Sequence, residues 1–221
     1  RAGAQAAFGE VVDTRYAFDK ARVVVSLDAD FLGAMPGSVR YIRDFSAARR
    51  VRGETGDMNR LYAVESAAGN TGAKADHRVA MRPAEIELFA RALAAAVGVP
   101  GAASEPAPAA ARTLLEAAAR DLLSHKGASI VVAGDEQLAS VHAICHAING
   151  ALGNTGVTVL YTDPVASAPV SQLQSLRELV DDINSGAVDA LLVLGGNPAY
   201  DAPAELRFGD PEQLQDVVRP L

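Results

Sequence analysis

Short apolar runs alternate along this chain with longer segments of helical period, the pattern of an α/β fold with a largely parallel sheet. The run RVVVSL at 22–27 is β-rich and nearly continuously apolar, so it predicts a first strand buried on both faces. Pro36 then opens a helix to about Arg52, with Val39, Ile42 and Phe45 as its apolar stripe and Arg40, Arg43, Arg49 and Arg50 on solvated faces. LYAVES at 61–66 predicts a second strand and residues 78–81 a short third one. Pro83 starts the next helix, where Ile86, Phe89, Leu93 and Val97 form a stripe ended by Gly98 and Pro100.

Residues 101–111, GAASEPAPAAA, have the composition of a linker. This divides the chain into a first α/β lobe at 1–103, a linker at 104–111 and a second α/β lobe at 112–221. In the second lobe, helices are expected at 112–124, 136–152 and 171–184, alternating with strands at 129–133, 157–161 and 190–194. Such a βαβαβ run with right-handed crossovers builds a parallel sheet covered on both faces. An internal echo links ARVVVSLDADFLGAMP at 21–36 with DALLVLGGNPAYDAP at 189–203, and would give each lobe one turn at the carboxyl end of a strand.

Charge and cysteine content narrow the chemistry. Twenty Lys and Arg against 27 Asp and Glu leave a net charge of -7, which disfavours nucleic acid as the main partner. The single cysteine, Cys145, excludes an internal disulfide, a zinc site rich in cysteine and an all-thiolate iron-sulfur cluster held by this chain alone. No apolar run approaches the roughly 20 residues that span a bilayer. The chain begins with Arg1 and no secretory leader follows, so it is expected to be a processed product or an excised piece.

Four groups of residues invite a chemical reading. Gly195, Gly196, Asn197 and Pro198 follow an expected strand, so their backbone can approach a ligand and Asn197 offers both a donor and an acceptor. His142 and His146 share a helix face in HAICH, but the zincin pattern needs Glu where Ala143 stands, and Cys145 is expected to help bury the helix. Asp76 and His77 are neighbours on a strand and point apart, and no GxSxG elbow exists for a serine triad. Asp181 and Asp182 belong to a helix surface. Neither GxGxxG nor GxxxxGK[ST] is present.

Four stretches taken in order resemble the molybdopterin oxidoreductase family: KARVVVSLDADFLGAMPGSVRYIRDFSAARR, MNRLYAVESAAGNTGAKADHRVAMRP, HAINGALGNTGVTV and LLVLGGNPAYDAPAEL. Within it they are most similar to the iron-sulfur subunit type of bacterial alternative complex III, a quinol:electron-acceptor oxidoreductase. The resemblance implies two Rossmann-like three-layer lobes with mostly parallel sheets. It also implies two GxNP-like turns that cradle molybdopterin guanine dinucleotide. Gly195, Gly196, Asn197 and Pro198 keep that turn, whereas the first reads Asp28, Asp30 and Phe31 where the pattern has glycine, asparagine and proline.

Glu65 stands where the family places a ribose-binding acid, and Ile86 where an aspartate would meet guanine. Two carboxylates at the first turn would repel a pyrophosphate. The resemblance therefore implies a non-catalytic scaffold portion of a respiratory electron-transfer subunit, in which the cofactor-binding residues Gly195, Gly196, Asn197, Pro198 and Glu65 are vestigial or bind weakly. It implies no cofactor in this chain, iron-sulfur clusters elsewhere in the parent protein, and other complex subunits as partners on the periplasmic face of the inner membrane. The alternatives are a portion of an active molybdopterin-dependent oxidoreductase and an isolated nucleotide-binding domain.

Overall fold

The computed structural model describes residues 1–51, 57–103, 106–166 and 170–208. The chain divides into two units, Arg1–Ser167 and Ala168–Leu221. The first is built on a four-stranded parallel sheet of β2 (Val23–Leu27), β3 (Arg60–Glu65), β4 (His77–Ala80) and β5 (Ser129–Ala133), in the order β4-β3-β2-β5. Around it lie α1 (Ala2–Phe8), β1 (Asp13–Tyr16), α2 (Ser38–Ala48), α3 (Asn70–Ala73), α4 (Pro83–Ala96), α5 (Arg112–Ser124), α6 (Ala139–Ala151) and β6 (Val159–Thr162). The second unit holds α7 (Gln172–Asn184) and the short α8 (Pro198–Asp201).

Every residue of β2 and of β5 is buried, as the continuous apolar runs require of strands covered on both faces. Alternation sorts their side chains into two cores. Val23, Val25, Leu27, Val64 and Val131 meet Ile86, Phe89 and Leu93 of α4, Leu115 and Leu122 of α5, and Val141 and Ile148 of α6. Val24, Leu61, Ile130 and Val132 meet Phe18, Phe31, Tyr41 and Phe45 on the other face. There the Phe18 and Phe31 rings stack at 4.3 Å, and full burial of each such side chain contributes about 1.5–3 kcal/mol.

The stripe of α4 is the one its sequence predicts, with Pro83 at the first turn and a left-handed Gly98 (φ 82°) just past the end. In α2 the stripe is rotated. Tyr41 and Phe45, four residues apart, turn inward to the aromatic cluster, while Val39 and Ile42 face solvent. Asp44 is buried on the same helix and paired with Arg40 and Arg43, so two of the arginines read as a solvated face neutralise an interior carboxylate.

The expected boundary at 104–111 does not separate two lobes. β2 and β5 lie on opposite sides of it in sequence and are hydrogen-bonded neighbours in one sheet. Residues 104 and 105 lie outside the described residues, but Ala102 and Ala107 pack against the core and Ala111 is fully buried. The described part of the segment packs on the core of the first unit, and the division falls at 167/168.

The expected βαβαβ run also stops early. β6 stands outside the parallel sheet and pairs antiparallel with β1, which like α1 has no counterpart among the expected elements. Residues 190–194 form no strand, and Leu192 and Leu194 are 73% and 82% exposed. The outer edge of β5 explains why β6 cannot add there. Asn149 bonds both the N–H and the carbonyl of Val131, Asn154 Oδ1 accepts the Ser129 N–H, and the Thr158 hydroxyl donates to the Ser129 carbonyl. Side chains have taken the places of a neighbouring strand.

Candidate functional site

The sheet order places a switch point between β2 and β5, because the chain runs outward through β3 and β4 and returns on the far side of β2. Ligands of open α/β sheets bind outside the carboxyl ends of strands at such a point. Here Asp28 follows β2 in a left-handed conformation (φ 56°), a geometry that aspartate tolerates better than most residues. Its carboxylate accepts the Ser66 N–H at 2.8 Å, the Ser66 hydroxyl at 2.7 Å and the Gln137 side-chain amide at 3.0 Å. It thereby joins the ends of β2 and β3 to the loop after β5.

Asp30 is aimed elsewhere. Its Oδ1 accepts both the N–H and the hydroxyl of Thr71 at 2.9 Å, anchoring α3. The two carboxylates expected to converge therefore have separate sets of neutral donors. Space at the turn is small as well. A Cβ at Gly134 would come within 1.9 Å of the Asp28 carbonyl oxygen, and one at Gly33 within 2.1 Å of Asp30 Oδ2. The residues present do not fit a pyrophosphate ester at this turn, since the backbone approach is closed and the acceptors face where an anion would need donors.

Glu65 is buried and paired with Arg78 at 2.5 Å. It packs so tightly on Gly72 that a Cβ there would fall 1.8 Å from Glu65 Oε1. Ile86 is fully buried in the core. In the second unit, Gly195 has φ 71°, and the Asn197 carbonyl accepts the N–H groups of Tyr200 and Asp201 at the start of α8. Among the described residues nothing lies within 4 Å of a Cβ built at Gly195 or Gly196, so the turn is open toward them, but it follows an irregular segment in place of a strand end.

Asp76 is held by Arg49 at 2.6 and 2.9 Å and accepts the Leu61 N–H, while His77 stacks on Tyr62 at 4.9 Å. The adjacent acid and histidine serve different neighbours. Burial pushes the Asp76 carboxyl up, but the Arg49 guanidinium and the Leu61 N–H outweigh it and the net shift is downward.

The described residues enclose a crevice of about 350 Å³ beside the carboxyl end of β5, walled by Asp13, Tyr16, Tyr41, Ala133, Asp135, His142 and His146. The i, i+4 spacing of HAICH does bring both imidazoles to one face of α6, where they line this space. Burial, reinforced by the charge of His142, pushes His146 down to about 4. Burial also lowers His142 and raises Tyr16. The walls thus carry neutral rings at pH 7. His146 Nδ1 lies 3.0 Å from the Tyr161 hydroxyl, and the Phe8 ring covers both. Burial pushes the Cys145 thiol up to about 12, so it is no nucleophile.

Among the described residues, no group of three or more His, Cys, Asp or Glu side chains is arranged to hold a metal ion. No motif in the sequence marks the crevice, although the alternation in DTRYAF at 13–18 carries a signal for the strand that contributes Asp13 and Tyr16. Comparison with protein-family models and with curated proteins gives no match to this chain.

Proposed function

We propose that the chain is a non-catalytic scaffold portion of a respiratory quinol oxidoreductase subunit descended from molybdopterin oxidoreductases, with a Rossmann-like sheet in its first unit. The observation that carries this reading is the Asp28–Gln137 hydrogen bond across the β2/β5 switch point. A catalytic relative needs that crevice open for the cofactor's phosphates, and here a side-chain bridge spans it. Supporting the scaffold role, Leu192, Val193, Leu194 and Tyr200 expose an apolar strip in the second unit, as surfaces that pack into a larger assembly do. No helix among the described residues is long and apolar enough to cross a membrane. In this reading the partners are the other subunits of a membrane-associated complex at its periplasmic face, and this chain carries no cofactor of its own.

The open turn at Gly195, Gly196, Asn197 and Pro198 favours a second reading, a nucleotide-binding domain. Calorimetric titration with GDP separates the two. The scaffold reading expects no binding by the chain, and weak binding at most by the Asp28→Gly/Asp30→Asn variant, with circular dichroism checking that the variant is folded. Tight GDP binding by the unaltered chain that is abolished by Asn197→Ala would establish the second reading. A pterin recovered in stoichiometric amount from the chain purified from its native host would overturn the first.

A further inference from the structure

The hydrogen bonds of β5 follow a strict alternation. The carbonyl of Ala128 and the N–H of Gly134 bond to β2, at 2.7 Å to Arg22 and 3.0 Å to Leu27. Even-numbered residues thus direct their backbone groups to β2, and odd-numbered ones direct theirs to the outer edge. On that edge Ser129 and Val131 are satisfied by Asn154, Thr158 and Asn149. Ala133 is the next residue in the series. Neither its N–H nor its carbonyl has a partner on that edge among the described residues, although the residue is only 3% exposed. A donor and an acceptor without partners are costly where water is kept out, and Ala133 is one of the residues that line the crevice.

We propose that this crevice is a binding site for a planar aromatic molecule bearing a carboxamide or lactam edge, held by the N–H and carbonyl of Ala133. The chain contains its own precedent two residues away, where the primary carboxamide of Asn149 accepts from the Val131 N–H at 3.0 Å and donates to its carbonyl at 2.7 Å. A ligand amide repeats that pairing one rung further along the edge. A carboxylate does not, because it has no hydrogen to offer the Ala133 carbonyl. The neighbouring rings of Tyr16, Tyr41, His142 and His146 supply flat faces for an aromatic body, Arg1, Asp13 and Asp135 complete the lining with charged groups, and about 350 Å³ admits one or two rings. The inference does not depend on the scaffold reading.

The test is an NMR titration of the isotopically labelled chain with benzamide, benzoate and N,N-dimethylbenzamide. Benzamide is expected to bind saturably and to move the Ala133 and His142 amide resonances, while the other two leave them in place. Ala133→Pro removes the outward N–H and leaves the bonds to β2, so it should weaken benzamide binding by roughly tenfold. The dimethyl ligand asks the same question without any variant, should Ala133→Pro fail to fold. Equal binding of benzamide and its dimethyl form, or saturation that leaves Ala133 unmoved, would overturn the proposal.

Discussion

Asn149 on α6 brackets Val131 on β5, accepting its N–H at 3.0 Å and donating to its carbonyl at 2.7 Å, so one side chain stands in for a neighbouring strand. The pair is fully enclosed, and Asn154 donates to the same Asn149 oxygen. Asn149→Ala should therefore leave a buried donor and acceptor unmet and cost about 2–4 kcal/mol. Asn149→Asp should cost as much, because its second oxygen would face the Val131 carbonyl. Urea unfolding measures both, and a loss below about 1 kcal/mol in the alanine variant would show that water replaces the amide.

This edge also separates what the sequence made legible from what it did not. The strands β2, β3 and β5 and the helices α4, α5 and α7 were readable to within a residue or two because burial on one or both faces imposes a period. Asn149, Asn154 and Thr158 look like ordinary polar residues in a helix and turn, and no local pattern reveals that they end a sheet. The same limit applies at the first turn. Asp28 and Asp30 were legible as acids where the family pattern has neutral residues, but their donors lie far along the chain, at Ser66, Thr71 and Gln137. Composition misled at 101–111 because alanine and proline pack as readily as they link.

Cys145 should be silent to thiol reagents in the native state. It is 3% exposed, and burial holds its pKa near 12, so at pH 8 almost no thiolate forms. Titration with a disulfide reagent at pH 8 should give no fast reaction until denaturant is added, then one thiol per chain. Fast reaction without denaturant would mean that α6 opens locally.

Acid should weaken the fold through His146. Its folded-state value of about 4 lies below the ordinary 6.5, so between these values the unfolded chain takes up a proton that the folded one refuses. The stability is whole above 6.5, falls as pH drops toward 4 and levels below that. The difference is on the order of 2–3 kcal/mol. His146→Phe preserves a ring against Phe8 and Tyr161 and removes the titration. Urea midpoints from pH 7 to pH 4 should decline less steeply in this variant, and parallel curves would assign the acid sensitivity to other groups.

Limited proteolysis should cut first within residues 163–166. Asp163 and Val165 are exposed, the stretch follows the last residue of β6, and the division between the two units falls immediately after it. A protease must draw several residues into extended form, which costs little in such a connection and much more at 106–111, where Ala111 is fully buried and Ala107 packs on the core. Trypsin cannot make the distinction, because no Lys or Arg occurs between Lys126 and Arg177. Elastase can, since Val165 and Ala166 suit it and alanines crowd the competing segment. Mass spectrometry should find an early fragment ending at Val165 or Ala166 that retains the far-ultraviolet circular dichroism of the parallel sheet. A first cut at 101–111 would instead mean that β5 and its helices separate from β2 more easily than their shared hydrogen bonds allow.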